Sequence, residues 1–78
     1  MSRYYFDLYN GDGRTRDDEG VDLAAKEQVS GEVSRILTDV ARDELPDKFP
    51  GVISVNVRDE TGKAIYVGSL SFKSKWLA

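Results

Sequence analysis

At 78 residues the chain has room for one compact domain with a single core, and 40% hydrophobic residues suit a folded chain better than a disordered one. It contains no His and no Cys, which removes the Ser-His-Asp triad, thiolate nucleophiles, the common zinc sites and disulfide staples. A net charge of -3 argues against general affinity for phosphate backbones or anionic membranes. The charge is unevenly placed. Residues 1–47 carry six basic against twelve acidic side chains, and residues 48–78 carry five against two. No apolar run is long enough for a signal peptide or a membrane span, so a cytoplasmic setting is expected.

In chain order, Arg3 to Tyr9 sets Tyr4, Phe6 and Leu8 against Tyr5, Asp7 and Tyr9, the period-2 pattern of a strand with one strongly apolar face. Asn10-Gly11-Asp12-Gly13 supplies a tight hairpin loop, and Arg14 to Asp17 should return as a short polar edge strand. Asp18-Glu19-Gly20 breaks it. Val21-Asp22-Leu23 then leads into the one helical pattern, with Asp22 as candidate N-cap. Val29, Val33, Ile36, Leu37 and Val40 follow a 3.6-residue period and define one apolar face. Gly31 lies off that stripe, either as a surface glycine or as a close approach for a second helix. Pro46 disfavours helical geometry at Leu45, so the helix should end near Asp43 or Glu44.

Beyond the crossing loop Asp47 to Gly51, Val52 to Arg58 alternates again: Ile53, Val55 and Val57 against Ser54, Asn56 and Arg58. Asp59-Glu60-Thr61-Gly62 is the second hairpin turn. Lys63 to Phe72 is the longest strand and its facing is ambiguous, because Tyr66, Leu70 and Phe72 share one side and Ile65 and Val67 the other. Either Gly68 marks a bulge or both faces are partly covered. The order predicts an α+β domain over residues 1–78, ββαββ, with a four-stranded mainly antiparallel sheet and one long helix on one face. Residues 73–78, with Lys73, Lys75 and Trp76, read as a loose basic-aromatic tail.

The strand Arg3-Tyr4-Tyr5-Phe6-Asp7-Leu8, the Asp17-Asp18-Glu19-Gly20 segment and the Arg58-Asp59-Glu60-Thr61-Gly62 hairpin resemble a small family of bacterial domains of unknown function, found mainly in alphaproteobacteria. In that family a YFFDL-like strand and a DDEG segment precede an Ala-rich helix, for which this chain has Gln28-Val29-Ser30-Gly31. The resemblance implies a fold and a bacterial cytoplasmic setting. It implies no catalytic or ligand residues.

Three constellations bear on chemistry. Asn10, Asp12, Gly13 and Glu19 match four positions of a calcium loop, but the first ligand position is Leu8, and Arg14 and Arg16 set cations beside the ion, so no metal and no cofactor is expected. Asp17, Asp18 and Glu19 are the densest carboxylates and read as a solvated acidic turn able to meet Lys63, Lys73 and Lys75 of another molecule. Tyr5 and Tyr9 could stack on bases, but Asp7 shares their face and the net charge is unfavourable, so nucleic acid is an unfavoured partner. A single helix leaves one sheet face open, with Tyr5, Tyr9, Ile65 and Val67 as the candidate interaction surface. The expectation is a non-enzymatic interaction module that forms a homodimer or docks an unknown protein. The alternative is a small regulatory protein that contacts nucleic acid or a toxin-like partner, since the element order distantly resembles partial RNase-H-like antitoxins without their Gly-Cys and Gly-Asp-Thr stretches.

Overall fold

The computed structural model describes residues 2–11, 13–45 and 47–78. Strands β1 (Ser2–Tyr9), β2 (Arg14–Thr15) and β3 (Val21–Leu23) precede helix α1 (Gln28–Glu44), which is followed by β4 (Val52–Arg58) and β5 (Ala64–Ser71). The class is α+β, as the pattern predicts, and every strand pairing is antiparallel. The sheet has five strands rather than four. β1 and β4 lie at its centre, β5 forms one edge, and β2 and β3 share the other, each pairing with a different end of β1.

The added strand corrects the reading of Val21–Leu23 as a helix lead-in. Asp22 caps no helix: it pairs with Arg3 across the sheet, and its carboxylate accepts from Arg3 Nη2 at 3.1 Å. Strand geometry there turns Val21 and Leu23 against the core, which is the apolar gain that holds so short a strand. The helix begins later, at Gln28, with Glu27 in the N-cap position and no side-chain cap. In place of a cap, Gln28 Oε1 accepts the Ala25 N–H at 3.1 Å. The helix ends at Glu44, within the stretch the sequence favours. Leu45 is extended and its N–H donates to Ala41 O at 2.9 Å, the geometry expected of a residue before proline. Pro46 itself, like Asp12 of the first turn, lies outside the described residues.

Core positions follow the two periodicities. Cross-strand register puts Phe6 opposite Val57 and Leu8 opposite Val55, and the helix covers this face with Val29, Val33, Leu37 and Ala41. Ile53, Val55 and Val57 are the most deeply buried side chains, because β4 is central and lies beneath the helix. Ile36 and Val40 of the predicted stripe are half-buried at its margin, and Gly31 faces open space.

Gly68 does not mark a bulge. It sits opposite Val55 where the helix crosses β5, and a Cβ there would lie 2.6 Å from Val33 Cγ1. The close seating of α1 on the sheet therefore needs a residue without a side chain. The irregularity falls instead between Val57 and Arg58, where Val57 pairs with Tyr66 and Arg58 with Ala64, so Ile65 is the extra residue. That bulge resolves the facing of the last strand. Ile65 packs against the core beside the start of the helix, while Val67 points to the opposite, open face.

Candidate functional site

The open face is two regions with different chemistry. At one end, Asp7 stands in the middle of β1 on the face away from the helix, where alternation predicts a solvated side chain. It is only 2% exposed. Arg58 reaches it across the sheet with two hydrogen bonds, Nε to Oδ2 at 2.8 Å and Nη2 to Oδ1 at 3.0 Å, and donates a third to the Asp17 carbonyl at 2.9 Å. The Asp17 N–H completes the group by donating to Asp7 Oδ1 at 2.9 Å. The guanidinium of Arg58 also lies 4.9 Å from the centre of the Tyr5 ring, within range of a cation–π attraction.

Asp17 has a backbone task. β2 pairs with residues 8 and 9 of β1 and β3 with residues 2 to 4, which leaves a gap in the ladder between them. The Asp17 carboxylate fills that gap, accepting the Phe6 N–H through Oδ2 at 3.0 Å. Its other oxygen accepts from Glu19 and Gly20 N–H at 3.1 and 3.0 Å, which folds the turn back on itself. Gly20 closes the turn at φ +76°, and a Cβ there would lie 2.8 Å from the Arg3 stem and 3.0 Å from the Tyr5 ring.

The ionisation of both carboxyls follows from these contacts. The hydrogen bonds from Arg58 hold Asp7 below the ordinary carboxyl range, against the upward push of burial, with the Asp17 N–H and the charges of Arg58 and Arg14 adding to the effect. For Asp17 burial is the largest influence and acts upward. The N–H groups of Gly20, Phe6 and Glu19 together outweigh it, so its carboxyl also titrates low. Both are anions at neutral pH and each accepts three hydrogen bonds, an arrangement that organises the local structure.

This cluster changes the standing of several residues singled out in the sequence. Tyr5 is half-buried, with the Arg58 guanidinium beside its ring and Gly20 close to the ring edge. The Asp17 carboxylate faces inward onto β1, while Asp18 stays exposed in a shallow pocket that it shares with the Asp59–Gly62 turn. Tyr9 is half-buried in register with Ser54 and Arg14. Ile65 belongs to the core margin. Of Tyr5, Tyr9, Ile65 and Val67, only Val67 is broadly exposed, at 64%. In the Asn10 to Glu19 segment, Asn10 N–H donates to Gly13 O at 3.4 Å as in a hairpin, and among the described residues no three acidic side chains converge as a metal site.

The second region is the edge of β5, which the sequence did not single out. Its eight residues, Ala64–Ser71, include no charged side chain, and among the described residues no strand pairs with its outer side. On the open face Val67 is in register with Asn56 and Asp7, Ser69 with Ser54 and Tyr9, and Ser71 with Val52, itself 53% exposed. On the helix side, Tyr66 and Ile65 form with Lys26, Glu27, Val29 and Ser30 a cleft of about 280 Å³. Beyond β5 the chain passes Phe72, which meets Phe49 edge to face at 6.1 Å, and runs out to Trp76 and Leu77, both almost fully exposed. The outer face of α1 is charge-paired within itself through Arg35 with Glu32 and Asp39, and Arg42 with Asp39.

The protein is thus a small α+β domain whose helix-covered sheet has one closed and one open edge. Residues 3–71 match the family model of a domain of unknown function, DUF6894, and the chain belongs to that family. No curated protein and no solved structure matches the chain. Among the described residues no helix is long and apolar enough to cross a membrane.

Proposed function

We propose that this domain is a non-catalytic self-association module, in which two copies join the outer edges of β5 into one continuous antiparallel sheet. The observation that carries this reading is the contrast between the edges. The β1 edge is closed by β2, β3 and the Asp17 carboxylate, whereas the outer side of the eight-residue β5 has no pairing strand among the described residues and none of the charges or prolines that discourage pairing. Antiparallel pairing is self-complementary: a register centred on Val67 brings the two Val67 side chains together at the two-fold axis and places Leu70 of one copy beside Ala64 of the other.

Sedimentation equilibrium tests the proposal. The chain is expected to dimerise at tens of micromolar, with weak dependence on salt, since backbone pairing and apolar contact carry the association. Val67→Lys places two cations against each other at the axis and should leave a monomer of unchanged fold. A wild-type chain that stays monomeric at millimolar concentration would refute the proposal.

A further inference from the structure

The same topology leaves two unmatched features at opposite ends of the molecule. One is the cleft of about 280 Å³ between the first turn of the helix and the start of β5, with Val29, Ile65 and Tyr66 as its apolar wall and Glu27 at its rim. That volume is at the low end for a ligand pocket and suits one large side chain better than a cofactor. The other is the tail after β5, in which Trp76 is 95% and Leu77 89% exposed. We infer that, in the dimer, Trp76 of each copy occupies the Val29–Ile65–Tyr66 cleft of the other, so that the tails embrace reciprocally. This inference rests on the edge-to-edge reading above.

Distance decides between a copy's own cleft and its partner's. β5 rises about 3.3 Å per residue, so Phe72 stands roughly 20 Å or more along the strand from Ile65 and Tyr66. The four residues from Phe72 to Trp76 span at most about 14 Å when fully extended. A copy's own cleft thus lies beyond the reach of the tail's backbone. In an antiparallel pair the end of one β5 lies beside the beginning of the other, about 5 Å away, and the same tail then starts within reach of the partner's Ile65.

Two further considerations favour this occupant. The tail carries Lys73 and Lys75 with no acid after Glu60, while the partner's turn before β5 carries Asp59 and Glu60, and Glu27 and Lys26 both line the cleft, so the charge complementarity lies chiefly at the turn. Edge pairing of two eight-residue strands joins chiefly main chain, while stable dimers bury about 1,200 Å² or more, so side chains outside β5 must supply area. A docked Trp supplies about 150–250 Å² on each side.

Trp76 is the one Trp in the chain, so its fluorescence reports the docking directly. Emission should move to shorter wavelength as concentration rises through the dimerisation range measured independently by sedimentation. Ser30→Arg, at an exposed position on the cleft rim, should abolish the shift and weaken the dimer without abolishing it. Truncation after Phe72 should weaken the dimer at least about tenfold, as loss of an aromatic anchor does. A dimer whose Trp76 emission stays that of an exposed indole would overturn the tail docking and leave the edge pairing intact. A short-wavelength emission already present in the monomer would also overturn it, because the tail would then bind its own copy. Absence of any dimer would remove both readings.

Discussion

Along the β1 edge, two short strands and one carboxylate satisfy the backbone, and a buried ion pair fastens the turn that delivers the carboxylate; along the β5 edge the backbone is left bare over eight residues without a charge. Both edges border the same sheet and the same core, so hydrophobic burial does not explain the difference. The acidic excess of the first half of the chain does. Asp7, Asp17 and Asp22 all serve to close the β1 edge, with Arg58 and Arg3 as their partners. A small domain without cysteines has reason to close the edge where its turns are polar, and an edge left open can gain stability from association.

The sharpest way to break the contrast is to remove the ion pair. Asp7→Ala leaves Arg58 beside a vacated, poorly solvated site and should destabilise the fold by about 3–5 kcal/mol in chemical denaturation. A loss below about 1 kcal/mol would mean that the closed edge does not depend on it. Next in size is the seating of the helix. Gly68→Val puts atoms where Val33 already stands and should cost at least about 1–3 kcal/mol, without altering the β1 edge. Leu37→Ala should cost about 2–5 kcal/mol by cavity formation and serves as the reference for an ordinary core position.

Acid should weaken the closed edge. Asp7 and Asp17 titrate lower in the fold than in the unfolded chain, where Asp titrates near about 3.9. Their contribution is therefore complete above that value and is lost as pH falls from about 4 through their lower folded values. Thermal midpoints of the wild type should drop over this range more than those of Asp7→Asn, and parallel curves would contradict the assignment. The smallest effect on folding is expected at the open edge: Val67→Lys should change monomer stability by no more than about 0.5 kcal/mol while removing the dimer.

Much of the fold is legible in the sequence because its strongest signals are periodic. β1, β4 and the stripe of Val29, Val33 and Leu37 repeat at 2 and 3.6 residues, and Pro46 marks where the helix must stop. β3 is not legible, since three residues carry no period and Asp22 is as acceptable at an N-cap as in a strand. The facing of Ile65 depends on a bulge set by the partner strand, and the need for Gly68 arises only when the helix lies across it. The ion pair joins residues 51 apart, and Asp7 sits at a position that alternation assigns to water. A polar residue amid Tyr5, Phe6, Leu8 and Tyr9 was the available signal, with Arg58 on the matching face of β4 as its partner. Edge or centre is a property of strand order, so the open β5 edge became visible only with the topology.

Amide hydrogen exchange at two concentrations, one below and one above the dimerisation range, tests the central contrast most directly. The outward N–H groups of β5 are predicted to exchange fast in the dilute sample and to become protected in the concentrated one, while Phe6 N–H, bonded to Asp17, stays protected in both. Equal exchange of the β5 amides at both concentrations would contradict the account.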